Sequence, residues 1–229
     1  LLEIGTEELP AADLQTALEQ LEVGASSMLA ENRLQHGQVR VMGTPRRLVV
    51  YMAELMPRQA DQVTVVRGPP ADRAFDPEGK PTKAAVGFAA SRGIEVRDLK
   101  LKEVDGGRYV VAEVHEPGRP ALDVLSRELP ALIAKVQFDK SMRWDETGAT
   151  FSRPIRWLLA LHGQQVVPFT YAGLQAGRQT RGVRFHAEDC QSVAHAADYF
   201  NWLEEQGVVL DVAERRAEIR RQAGRLAAE

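Results

Sequence analysis

Cysteine occurs once in the 229 residues, at Cys190. A single cysteine excludes an internal disulfide and a thiolate cluster for zinc, and it fits a cytoplasmic setting. No apolar run approaches the ~20 residues needed to span a bilayer. No basic, apolar, small-residue leader opens the chain either, so no membrane partner is expected. The five histidines (His36, His115, His162, His186, His195) are scattered, with no helical i,i+3 or i,i+4 pair beside a carboxylate, and no metal site is expected. Also missing are a Gly-x-Ser-x-Gly elbow, a dinucleotide Gly-x-Gly-x-x-Gly and a phosphate loop. Nothing marks a catalytic residue or a bound cofactor. Neither sign of charge prevails: 29 Lys and Arg stand against 32 Asp and Glu, with a pI near 6.0. That balance excludes a globally basic nucleic-acid binder and leaves only local patches.

What is present suffices for a core, since 44% of residues are apolar. The length suits one large domain or two small ones. Because the chain starts at Leu1 and stops in a helical pattern, it reads as a piece of something longer. Leu1–Gly5 reads as a strand. Leu14, Leu18, Leu21, Ala25 and Leu29 then repeat at helical spacing to about Leu34. Glu7 and Glu8 open that helix, either as an acid/base pair or as complements to its dipole. Gln38–Met42 and Arg47–Leu55 form a hairpin around Gly43-Thr44-Pro45. Arg46 and Arg47 follow, placed to meet phosphate or to keep an edge strand soluble. Val63–Val66 is a strand broken by Gly68-Pro69-Pro70, and Thr82 caps a helix to about Arg92.

Asp105-Gly106-Gly107 turns a hairpin between Leu99–Val104 and Tyr109–Val114. A helix from Pro120 carries an apolar stripe, with a kink or a break at Pro130. Ile155–Leu161 and Val166–Tyr171 read as neighbouring strands. Ser192–Gln206 reads as an amphipathic helix, Val208–Leu210 as a short strand, and Asp211 as the cap of a last helix. The expected class is α+β with largely antiparallel sheets. The expected organisation is a core of residues 1–70 and 120–190, a possible inserted or adjacent subdomain at 71–119, and a helical segment at 191–229.

The segment Lys140–Leu161, KSMRWDETGATFSRPIRWLLAL, mixes cations with aromatics. Lys140, Arg143, Arg153 and Arg156 stand among Trp144, Phe151 and Trp157, as on a surface that attracts phosphates and offers flat faces to bases. The same mixture also suits a hairpin whose aromatics fill a core and whose arginines keep it soluble. Arg178, Arg181 and Arg184 recur every third residue and share a face only if Gly182 marks a bulge or the segment is irregular. Between Lys135 and His186 two lysines and six arginines meet three acids, a surplus of five positive charges on an otherwise acidic chain. Arg153 and Arg156 have a structural alternative, a buried ion pair with Asp139 or Asp145.

LEIGTEELPA at the start, GTPRRLVV at Gly43–Val50 and RGPP at Arg67–Pro70 are followed by AFD-x5-PTKAAVGFA from Ala74. KSMRW at Lys140, FSRPIRWLLAL at Phe151 and GRQTRGVRFH at Gly177 complete the series. In order and over nearly the whole chain, these resemble the β subunit of bacterial glycyl-tRNA synthetase. The resemblance implies an α2β2 ligase whose α subunit uses ATP and Mg²⁺ and whose β subunit is needed to bind and charge tRNA(Gly). It implies an amino-terminal region similar to the body and tail domains of archaeal CCA-adding enzymes, near the tRNA acceptor arm. Lys140, Arg143, Arg153, Arg156, Arg178, Arg181, Arg184 and His186 are then the candidate RNA-binding residues, with no DNA partner. The alternative is a scaffold that docks the α subunit or other β-subunit domains.

Overall fold

The computed structural model describes residues 1–104, 106–183 and 190–228. In chain order the first elements are β1 (Leu2–Thr6), α1 (Ala11–Glu31), β2 (Val39–Thr44), β3 (Arg47–Met52), β4 (Gln62–Pro70), α2 (Ala71–Ala74) and α3 (Lys83–Ser91). Next come β5 (Lys100–Val104), β6 (Gly107–Glu116), α4 (Ala121–Ala134), β7 (Ile155–His162) and β8 (Gln165–Val166). The last are β9 (Thr170–Tyr171), β10 (Leu174–Gln175), β11 (Gln179–Arg181), β12 (Cys190–Ser192), α5 (Asp198–Glu205) and α6 (Val212–Ala228). The fold is α+β, and every strand ladder is antiparallel. Two compact units divide the chain, Leu1–Gln59 with Arg119–Glu229, and Ala60–Gly118.

The first unit is built on a sheet of order β2-β3-β1-β7-β8. In β1 the alternation of side chains sends Leu2 and Ile4 to one face. Their register partners Val50, Leu48, Ala160 and Leu158 share that face, and all six join a core with Leu14, Leu18, Leu21, Leu125, Leu129 and Ile133 of α1 and α4. The opposite face holds Val49, Leu159 and Leu161 against Val193, Tyr199 and Leu203. The sheet is therefore covered on both sides, and all five residues of β1 are buried.

Pro130 does not break α4, which runs unbroken from Ala121 to Ala134. A proline inside a helix costs about 3 kcal/mol. Burial of Val124, Leu125, Leu129, Leu132 and Ile133 on one stripe, roughly 1.5–3 kcal/mol per side chain, outweighs it. The expected strand Val166–Tyr171 does break, at Pro168, which has no N–H for a ladder. Gln165–Val166 pairs with β7, whereas Thr170–Tyr171 pairs with β10. The helix expected from Ser192 begins only at Asp198. Before it, Cys190–Ser192 pairs with β11, Val193 N donates to Arg178 O, and Ala196 N donates to Gly163 O. Val208–Leu210 is not a strand; Leu210 is buried and its carbonyl accepts from Gly43 N. Asp211 caps α6, its Oδ1 accepting from Ala213 N and Glu214 N.

The second unit is a sheet of order β4-β6-β5 with α2 and α3. The strand β4 lies in this unit and runs through Pro70, with a register shift between Arg67 and Pro70, as an edge strand allows. Gly68 lets the Phe88 ring approach the strand closely, since an added Cβ would meet the ring at 2.5 Å. Thr82 caps α3 by accepting from Ala84 N at 3.2 Å. Ala74, Ala85 and Val110 form the small core, with Phe75, Phe88 and Leu99 packed on it.

Candidate nucleic-acid interface

The loop from Asp139 to Pro154 is held at both ends. Phe151 is fully buried and meets Phe138 edge-on at 4.8 Å. Met142 and Phe151 exchange backbone hydrogen bonds of 2.8 and 3.2 Å. Ser152 Oγ donates to the Asp13 carboxylate, which ties the loop to α1. Within the loop Asp145 Oδ1 accepts from Thr147 N at 3.0 Å and from its hydroxyl at 2.6 Å, closing a turn before Gly148. On this frame Lys140 and Arg143 are exposed, and no hydrogen bond or ion pair holds either among the described residues. Trp144 is half-buried against the main core.

The other candidates are engaged. Arg153 is exposed, with Nη1 donating to Ser152 O at 2.8 Å. Arg156 pairs with Glu7, Nε to Oε1 at 3.2 Å, and not with Asp139 or Asp145. The pair is solvent-exposed and worth at most about 1 kcal/mol. Glu7 faces Arg156 across the junction between β1 and α1. Arg178 clamps three carbonyls, those of Val193 at 3.3 Å, Ala194 at 3.4 Å and Gln164 at 3.1 Å. Arg181 lies over the Trp157 ring at 5.3 Å. Arg184 and His186 fall outside the described residues. Lys140, Arg143 and Arg153 thus share one loop, whereas Arg178 and Arg181 serve different local contacts.

The sequence places Arg47 at an edge or a phosphate; the structure buries it to 2% exposure beside a fully buried Glu3. Arg47 Nη1 donates to Glu3 Oε1 at 3.0 Å, while Nη2 donates to Arg181 O at 2.6 Å and to Gly182 O at 3.5 Å. Both guanidinium groups lie over the Trp157 ring, Arg47 at 5.8 Å and Arg181 at 5.3 Å from its centroid. The indole lies over Gly5, where an added Cβ would fall 1.9 Å from the ring. Gly5 pairs with both Arg47 and Trp157, so the strand register itself assembles this stack. Tyr199 is buried at the same face, and its phenol pKa is raised well above the usual value, by burial first and by the Glu3 charge next. The legible signal is Glu3 itself. A carboxylate between Leu2 and Ile4 on a strand covered on both faces needs a buried cation.

Among the described residues no group of three or more His, Cys, Asp or Glu is placed to hold a metal ion, and no helix is long and apolar enough to cross a membrane. A family model described as "Glycyl-tRNA synthetase beta subunit" matches residues 1–229. The chain is 47% identical over 216 residues to a glycine–tRNA ligase beta subunit of Moorella thermoacetica, covering 94% of this chain and 31% of that protein. It is 44% identical over 227 residues to the corresponding subunit of Desulforamulus reducens, covering 99% of this chain and 33% of that protein. A glycine–tRNA ligase of Arabidopsis thaliana, chloroplastic/mitochondrial 2, is 44% identical over 227 residues, or 99% of this chain and 21% of that protein. The chain therefore spans a third or less of the length of these relatives.

Proposed function

The chain belongs to the glycyl-tRNA synthetase beta subunit family, and from that membership we propose that it is a tRNA-facing part of the β subunit in an α2β2 glycine–tRNA ligase. In this reading it supports ATP-dependent attachment of glycine to tRNA(Gly). ATP, Mg²⁺ and the reacting groups belong to the α subunit, and the β chain contributes position and charge. The observation that carries the reading is the pinned loop 139–154, which presents Lys140 and Arg143 to solvent without a protein partner among the described residues. Because their backbone is already fixed, the two cations pay only for ordering their own side chains when they meet phosphates, not for ordering the loop. Arg156, Arg178 and Arg181 act in this account mainly by holding the surrounding surface in shape.

The test is a salt titration of tRNA(Gly) binding by the assembled α2β2 enzyme carrying Lys140→Ala and Arg143→Ala. Removing a cation that neutralises a phosphate should lower the slope of log K against log salt by about 0.7–0.9 for each such cation. An unchanged affinity and slope in the double variant would remove the basis for the reading. A second reading, docking of other β-subunit domains, is favoured by one feature. The helix α6 exposes Ile219 to 63% and Leu226 to 65%, two large apolar residues seven apart on one stripe.

A further inference from the structure

In the unit Ala60–Gly118 one sheet face is packed and the other is open along β4 and β5, with Val111 buried at its centre in β6. Opposed residues in an antiparallel ladder point to the same side, so the registers define the open face. Val63 faces His115, Val65 faces Glu113, Arg67 faces Val111, Lys100 faces Val111 and Lys102 faces Tyr109. The alternate residue Val110 joins the small core with Ala74 and Ala85 on the packed side. The side chains agree with this sorting: Arg67 lies over the Tyr109 ring at 3.5 Å, and Lys100 Nζ reaches Glu113 Oε2 at 2.6 Å.

This face is unusual in charge and in exposure. The unit as a whole carries nine Lys and Arg against ten Asp and Glu. The open face nevertheless carries the cations Lys100 and Lys102 beside the one acid Glu113 among the described residues, with Arg67 stacked on Tyr109. Val63 and Val65 are each 50% exposed beside them. Lys100 is bonded to Glu113 through one of its three donors, which leaves two to meet an anion. Arg67 covers Tyr109, and the outer plane of a guanidinium stacked in this way is a platform on which an unpaired base packs. A protein partner would need acidic residues opposite these cations. A polyanion with flat apolar bases matches both the charge and the valine–tyrosine surface.

We propose that the open face of the unit 60–118 is a second RNA-contacting surface, with Lys100 and Lys102 meeting phosphates and Arg67 on Tyr109 meeting a base. The inference rests on the reading that the protein meets tRNA, but it concerns residues apart from Lys140 and Arg143. The experiment compares two variants of the assembled enzyme, Lys100→Ala/Lys102→Ala and Lys140→Ala/Arg143→Ala, by tRNA(Gly) binding over a range of salt. Both lysines are exposed on the edge strand β5, and far-UV circular dichroism checks that the sheet persists. A fall of about 0.7–0.9 in slope per neutralised phosphate for the first pair supports the proposal. A fall in slope in the second pair alone overturns it and leaves the proposed function standing. No fall in either variant overturns both. An unchanged tRNA slope with weaker binding of the α subunit assigns the face to protein and also overturns it. Arg67→Met, which keeps the cover over Tyr109 but removes the planar cation, should weaken binding of an unpaired strand more than of a duplex.

Discussion

At Arg47 one guanidinium joins the middle of a sheet to the loop that follows β11. Its bond to Glu3 answers a charge that burial would otherwise make untenable, and its bonds to the carbonyls of Arg181 and Gly182 fix the backbone that carries Arg181 over Trp157. Arg47→Ala leaves Glu3 buried without its cation, and urea denaturation should show a destabilisation of about 3–5 kcal/mol. That is a large part of an ordinary domain's stability. Glu3→Leu combined with Arg47→Met should recover most of it, because the charges leave together. The double variant still lacks the donors to residues 181 and 182, so amide exchange across Gln179–Val183 should stay faster than in the parent. Arg47→Lys is not conservative here, since a single ammonium cannot hold Glu3 and both carbonyls in a planar fork.

At the scale of elements, local chemistry is readable where one short signal decides. Thr82 and Asp211 hold as caps, and the expected β2–β3 hairpin forms, but it turns at Pro45-Arg46, with Gly43 and Thr44 paired inside β2. The sequence is least informative where distant chain competes for a segment. Residues 192–197 have helical periodicity, but β11, Arg178 and Gly163 draw their backbone groups into other bonds. The place of Arg47 is hidden for the same reason, since only the register of three strands shows that its face is covered. The candidate cations separate in the same way. A spacing of three lets Arg178 and Arg181 share a face only if the segment is irregular, and carbonyl clamping and indole stacking give them separate structural duties.

The helix α6 shows the other side of that competition. It has no buried residue, and its exposed stripe of Ile219 and Leu226 is left to local support such as Glu218 with Arg221 and Gln222, whose hydrogen bonds hold the Glu218 carboxyl down to about 2. Such exposed pairs add little, too little by themselves to hold the outer turns of the helix firmly. The relatives carry at least two thirds of their length outside the matched region. We expect that further chain to cover the stripe. Hydrogen exchange at Ile219–Leu226 should be slower in the full-length subunit than in the 229-residue chain, and Ile219→Glu/Leu226→Glu should abolish the difference. Equal exchange in the two parent proteins would rule out the docking.

For the whole molecule, the decisive feature is where the chain leaves the first unit and returns. Gln59 N donates to Arg119 O at 2.9 Å, Arg119 N donates to Gln59 Oε1 at 3.2 Å, and Ala121 N donates to Pro57 O at 2.8 Å. Arg58 and Pro120 form a bridge between the same two segments. The exit and the return are thus side by side, a gap that two glycines span. Both large core clusters are built from residues of the first unit, and the small cluster from residues of the second. Replacing 60–118 by Gly-Gly should therefore leave a protein that unfolds in one cooperative urea transition, with the far-UV signal of the five-stranded sheet retained. An insoluble or non-cooperative product would show that the first unit depends on the second. In a soluble product within the assembled enzyme, the salt slope of tRNA binding should fall by the same amount as in Lys100→Ala/Lys102→Ala. A larger fall would place further phosphate contacts in 60–118, away from those lysines. An additional drop on introducing Lys140→Ala/Arg143→Ala into the deletion would show that the loop 139–154 holds its own contacts without the second unit.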